Sequence, residues 1–264
     1  MSEATAYYRD LGDGRFASTQ HAQGAWREDE QHMGPATGVL VHAIAAHEPR
    51  AGMRIGRVSL DIHGVIFGGD FEIRVRTVRP GRTIELVEAE MICRDRTAIV
   101  ARAWRLATGD TAAVAGSELT PIAGPEGLPV WSHMADAWGG GYIDSVEFRP
   151  LPGHREGKAT AWLRNGLDMV EGVPTSPLVR LLGMADTANG IATRVQPGPG
   201  SWMFPNVDLQ LHLLREPVGE WLGLDTEQSF GADGIGLTSS VLHDIEGPFG
   251  RAEQLLTVRP LPAG

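Results

Sequence analysis

Three polar residues in the second half of this 264-residue chain have the types and spacing needed to hold and activate a water molecule. Asp186 falls in a run of helical spacing, four residues after Leu182 and at the margin of its apolar face, with Gly183 one turn before it and Gly190 one turn after. A carboxylate flanked by missing side chains suits a ligand beside an acid. It equally suits a solvated helix-edge Asp with small neighbours for close approach to a sheet, and spacing alone favours that plainer account. Gln254 shares its strand face with Ala252, Leu256 and Val258 rather than with Glu253 and Arg259, which places an amide among apolar side chains. A buried amide must find partners or cost about 1 to 3 kcal/mol, so it serves either an internal hydrogen bond or a reaction. Asn206 opens a strand whose apolar residues are Val207, Leu209, Leu211 and Leu213; after Pro205 it reads more simply as a strand-start turn residue than as a catalytic one.

Other chemistries leave no trace. There is no G-x-S-x-G elbow for a serine nucleophile. Gly139-Gly140-Gly141 lacks both the later glycine of a dinucleotide loop and the Lys-Ser/Thr of a P-loop, and reads as a turn. His42 and His47, five apart on a helix, point to diverging faces without a carboxylate partner, so no metal site is expected. Cys93 is the single cysteine, which excludes an intrachain disulfide and fits a reducing compartment.

The elements that must carry these residues repeat. Helical spacing over Gly34 to His47 is ended by Pro49, after a β-like segment at Arg15 to Trp26. Strands follow at Arg57 to Ile66, Asp70 to Thr77, Thr83 to Cys93 and Ala98 to Leu106. In the second half Tyr142 to Phe148 and Lys158 to Leu163 are strand-like, and Ser176 to Thr193 is predicted as one helix. Strands then run Asn206 to Leu214, Leu222 to Phe230, Ile235 to Ile245 and Ala252 to Arg259. Ser59-Leu60-Asp61-Ile62 and Asn206-Val207-Asp208-Leu209 are similar strings, each expected to begin the strand after its helix. Between the halves, residues 109 to 137 are irregular and marked by Gly124-Pro125 and Gly127-Leu128-Pro129. One helix across an antiparallel sheet, occurring twice, is an α+β pattern of the fused hotdog kind. Pairing the two sheet edges would remove an exposed edge from each half.

With 42% hydrophobic and 21% charged residues the chain must fold, and its length suits two small domains. The formal charge of -10, without a dense Lys/Arg stripe, argues against nucleic acid or an anionic membrane as partner. The first thirteen residues do not form a basic-then-apolar leader, and no apolar run approaches ~18 residues. A cytoplasmic protein without membrane insertion is expected, and a homo-oligomer.

The strings Leu182-Gly183-Met184-Ala185-Asp186, Asn206-Val207-Asp208-Leu209 running to Leu214-Arg215-Glu216-Pro217, and Gln254-Leu255-Leu256-Thr257-Val258-Arg259 resemble the three site-bearing segments of acyl-CoA thioesterase II and related thioesterase-like proteins. The strand around Trp162 and Arg164 is similar to actinobacterial-type members. The resemblance implies a double hotdog, with tandem domains over 1–125 and 126–264, each a long helix wrapped by an antiparallel β-sheet. It implies hydrolysis of acyl-CoA by a water activated at Asp186 and oriented by Gln254 and Asn206, with no cofactor. The family has threonine where this chain has Asn206, an amide of different donor geometry. Gly183 and Gly190 would leave room for substrate, and Arg194 or Arg215 would meet the CoA phosphates. One site per chain is expected: the first helix has no carboxylate, with Ser59 expected opposite Asn206 in the repeat and Arg102 opposite Gln254. Two rivals stand. One is a non-catalytic acyl-CoA or hydrophobic-ligand binding protein on the same fold. The other is a hydratase, which would need a histidine on or just after the Asp186 helix, where none occurs before His212.

Overall fold

Residues 5–25, 27–131, 138–196 and 200–261 are described by the computed structural model. The first-half helix, α1 (Met33–Ala46), is buried nearly all round, including Gly34, Ala36, Thr37, Gly38, Val39, Leu40, Val41 and Ile44. A helix without a solvent face belongs inside a wrapping sheet rather than on top of one. Its N-cap is His32, whose side chain accepts from the Gly34 N–H, and Pro35 sits in the first turn, where a missing N–H costs nothing.

The first half supplies β1 (Ala6–Gly12), β2 (Arg15–Ser18), β3 (Met53–Ile62), β4 (Asp70–Arg79), β5 (Ile84–Cys93) and β6 (Arg96–Ala107). The second begins with a helical turn, α2 (Gly141–Asp144), then β7 (Val146–Pro150), β8 (Lys158–Asn165) and β9 (Asp168–Val170). Its helical stretch is α3 (Pro177–Leu182), a 3₁₀ turn at Ala185–Thr187, and α4 (Ala188–Ile191). There follow β10 (Trp202–Met203), β11 (Asp208–Leu213), β12 (Leu222–Phe230), β13 (Ile235–Asp244), β14 (Gly247–Thr257) and β15 (Arg259–Pro260).

Thirteen of these strands form one sheet in the order β7-β8-β12-β13-β14-β11-β3-β6-β5-β4-β2-β1-β9, while β10 pairs only with β15. The halves join where β11 lies antiparallel to β3, with Leu209 opposite Leu60 and Leu211 opposite Val58. All of these pairings are antiparallel except β1 with β9. Only Gly166 and Leu167 separate β8, next to one edge, from β9 at the other. Three residue steps from Asn165 to Asp168 span at most ~11 Å, so the sheet must curve until its ends nearly meet. Inside that curve α1 and α3 cross at glycines: a Cβ built on Gly38 would lie 3.3 Å from the Gly183 Cα. Two helices wrapped by antiparallel strands from each half make this a double hotdog.

Several expected elements differ. The continuous helix over 176–193 is broken, because Gly183, Asp186, Thr187, Asn189 and Gly190 are weak helix formers crowded into two turns. Tyr142 lies on α2 and not on a strand. Strand β1 is an element the sequence pattern does not disclose, because its buried triplet Ala6-Tyr7-Tyr8 is followed by an exposed run without alternation. Asp61-Ile62 ends β3 where Asp208 begins β11, so the two similar strings pair across the junction, antiparallel, with Asp208 opposite Asp61. They do not hold equivalent places in the repeat. The end of the β-like segment at Trp26 lies outside the described residues, as do positions 132–137 of the connector.

Candidate active site

Asp186 sits in the 3₁₀ turn between α3 and α4, only 7% exposed. The break in the helix turns its carboxylate toward the sheet, where two amides meet it. Gln254, on the inner face of β14 with Ala252 and Leu256, donates from Nε2 to Asp186 Oδ1 at 2.8 Å. Asn206, held just ahead of β11 by a bridge to Leu256, donates from Nδ2 to the same Oδ1 at 2.9 Å and to the Asp208 carbonyl at 3.0 Å. The three residues expected from sequence are therefore brought together: Asp186 is buried and not solvated, and both amides bond its carboxylate, Asn206 doing so from the strand-start position.

Two features set its chemistry. Burial lifts the Asp186 carboxyl to about 6, against the lowering effect of the Asn206 and Gln254 hydrogen bonds. Gln254 Oε1 is buried and accepts no hydrogen bond from the described protein. An orphaned buried acceptor beside a carboxylate calls for an account, because buried polar atoms are normally paired.

The first half contributes what the sequence did not disclose. His32 Nδ1 accepts the Gly34 N–H at 2.9 Å and stands 3.5 Å from Asp186 Oδ2. Burial pushes the imidazole down to about 3, so it is neutral, and with Nδ1 an acceptor its proton resides on Nε2. Its ring lies over Tyr142 at a centroid distance of 4.1 Å, and Tyr142 Oη is 2.7 Å from Thr187 Oγ1. Pro35 was the available signal, since a proline in the first turn places the cap nearby. Histidine is not among the common caps, so its type carries no cap signal in the sequence.

Asp186 lies at the junction of two cavities, both of which also reach Ala25, His32 and Asn206. The outer is an open cleft of about 580 Å³ with Met203, Pro205 and Val207 on one wall and Arg27, His63 and Arg259 among its lining. The inner is a pocket of about 60 Å³ bounded by Trp138, Ile143, Thr187, Asn189 and Gly190. Gly190 lines the inner pocket. Gly183 does not, being spent on the helix crossing. Neither arginine expected at the CoA phosphates lines either cavity. Arg215 is committed to Asp244 through two 2.6 Å hydrogen bonds, and Arg194 to the Gln228 carbonyl at 3.3 Å. Among the described residues no group of three or more His, Cys, Asp or Glu could hold a metal ion, and no helix is long and apolar enough to cross a membrane.

Comparison with known structures gives the fold again. A putative thioesterase from Novosphingobium aromaticivorans has a TM-score of 0.75 at 19% identity, covering 96% of this chain and 98% of that one. For a putative thioesterase II from Thermobifida fusca the values are 0.72 and 15%, over 97% and 96%. A protein of unknown function with a hot dog fold from Alicyclobacillus acidocaldarius gives 0.75 and 13%, over 97% of each chain. The sequence has no match among curated proteins. The family model for the acyl-CoA thioesterase N-terminal domain matches residues 22–106, and that for the acyl-CoA thioesterase C-terminal domain matches residues 117–258. With more than half of its residues matched and both halves in order, the chain belongs to the acyl-CoA thioesterase family.

Proposed function

We propose that this protein hydrolyses acyl-CoA thioesters at Asp186. The observation that carries the reading is the buried Asp186 carboxylate, made basic by burial and gripped at Oδ1 by two amides, next to the unpartnered Gln254 Oε1. A water donating one hydrogen to Gln254 Oε1 and the other to Asp186 would direct a lone pair outward. That water attacks the thioester carbonyl carbon while Asp186 takes its proton; collapse of the tetrahedral species expels the CoA thiolate, which takes the proton back from Asp186, and leaves the free acid. A positioned base of this kind is worth ~10² to 10⁴-fold. The neutral His32, which lines both cavities and carries its proton on Nε2, is the donor assigned to the developing oxyanion. Arg27 and Arg259, rather than Arg194 or Arg215, meet the CoA phosphates at the open cleft. No step needs a metal or an organic cofactor.

The test is release of free thiol from a panel of acyl-CoAs by the wild-type protein and by Asp186→Asn. Turnover should fall at least ~10²-fold in the variant while the fold and acyl-CoA binding persist. Binding without turnover in the wild-type protein would favour the non-catalytic binder, and wild-type rates in Asp186→Asn would remove the site from this residue.

One observation favours a second reading. The histidine that a hydratase needs is absent after Asp186 but arrives from the first half as His32. Loss of the enoyl chromophore of a 2-enoyl-CoA without thiol release would select that activity; thiol release from the same substrate selects hydrolysis.

A further inference from the structure

We infer that the acyl group accepted here is short, because the inner pocket, about 60 Å³, is only about a tenth of the outer cleft's 580 Å³ and ends on the Trp138 ring. This rests on the thioesterase reading and adds the substrate class to it. A thioester with its carbonyl at Asp186 must send its two arms into the two cavities that meet there. The CoA arm is the long, anionic one and must reach solvent. Only the outer cleft has the volume, the opening and the arginines for it. The acyl arm is left with the inner pocket.

The back of that pocket is a built wall. Trp138 donates from its indole N–H to the Gly190 carbonyl at 3.2 Å and sets its ring edge-on to Phe204, with centroids 6.2 Å apart. A Cβ on Gly190 would already be 3.4 Å from Trp138 Nε1, so no chain passes between that ring and α4. Asn189 ties the remaining side, donating to the Phe204 carbonyl at 3.1 Å and accepting from Gln228 Nε2 at 2.9 Å. Phe204 is fully buried and Gln228 nearly so, which fixes the wall against the sheet. A longer acyl chain would have to displace Trp138.

The experiment measures kcat/KM for straight-chain acyl-CoAs from two to sixteen carbons. Chains of two to four carbons should exceed those of eight or more by at least about tenfold, since each methylene without room carries a penalty of that order. Trp138→Ala should move the optimum several carbons upward. If that variant does not fold, Trp138→Leu opens the same wall more gently, and Gly190→Ala tests the opposite direction by lowering butyryl turnover more than acetyl turnover. A wild-type optimum at eight carbons or longer, or an unchanged ranking in folded wall variants, overturns the inference. Binding of non-hydrolysable acyl-CoA thioethers to wild type separates the two readings. Without any turnover, a short-chain ranking in binding keeps the inference while hydrolysis falls; affinity that climbs with chain length defeats it.

Discussion

His32 Nδ1 stands 3.5 Å from Asp186 Oδ2, yet the two are not an ion pair. The Nδ1 lone pair is already used by the Gly34 N–H, so a proton placed there would break the cap of α1. Burial drives the two groups toward neutrality from opposite sides, the imidazole down to about 3 and the carboxyl up to about 6. An ion pair would move each the other way. The first-half helix thus presents a neutral ring to the second-half carboxylate and leaves its charge uncompensated, which is the condition a general base requires.

The rate should therefore titrate with Asp186. Below about 6 the carboxyl is protonated and cannot accept from water, so kcat/KM should fall about tenfold per pH unit on acidification and be flat above. Stability runs in the opposite sense. The folded carboxyl holds its proton above the unfolded value of 3.8, so its contribution is largest below that value and is lost as pH rises to about 6. The loss is on the order of 3 kcal/mol. Asp186→Asn lacks this cost, and its melting temperature relative to wild type should be higher at pH 8 than at pH 4. A pH-independent difference in thermal melts would contradict it.

The amides act on the same titration. Both donate to the ionised carboxylate and lower its pKa, so Gln254→Ala and Asn206→Ala should each shift the midpoint of the pH–rate profile upward. Removing either should also cost roughly 10²-fold at the plateau through a misplaced water. A purely structural amide would lower the melting temperature and shift the midpoint but leave the plateau rate per folded molecule nearly unchanged.

His32 has two separable duties. His32→Ala removes both the cap, worth about 1 kcal/mol, and the Nε2–H. In His32→Asn the side-chain oxygen can still accept from Gly34, but the reach of the ring is lost. Turnover should fall in both variants, while the loss of melting temperature should be largely confined to alanine. Normal turnover in a folded His32→Asn protein would take the histidine out of the reaction.

How much of this was readable in the sequence follows from range. Gln254 could be found because a strand alternates with period two and a polar residue on the apolar face is visible locally. Asp186 was visible as an acid between glycines, but not its burial, which depends on Asn206 and Gln254 arriving from strands 20 and 68 residues away. His32 belongs to the other half of the chain and carries no local mark of its destination. Arg194 and Arg215 looked free because their acceptors, the Gln228 carbonyl and Asp244, are also remote in sequence. The repeat was legible as an order of elements, whereas its register was not, and register decides which residues are equivalent.

That register supports one site per chain. Strand order is mirrored about the β11–β3 junction, so the pair Thr238 and Gln254 corresponds to Val87 and Ala103, and the bridge from Asn206 to Leu256 corresponds to the pair Ile55 and Arg105. Ser59 and Arg102, expected as the counterparts, face away; Arg102 is bonded to Glu88 at 2.7 Å on the outer face. The first-half places hold apolar Ala103 and Ile55. Arg105 is buried there, bonded to Glu85 at 3.1 Å and to the carbonyls of Ile44 and His47, so it closes the C-terminal end of α1. No carboxylate lies on α1, and the space is filled by a structural arginine. Calorimetric titration of folded Asp186→Asn protein with acyl-CoA should therefore saturate at one equivalent per chain. Exchanging Ala103→Gln should not create a second active site, because neither the base nor the water's space exists beside it. Two equivalents per chain, or turnover that survives in Asp186→Asn and disappears on changing first-half residues near Ala103, would show that the symmetric fold carries symmetric chemistry.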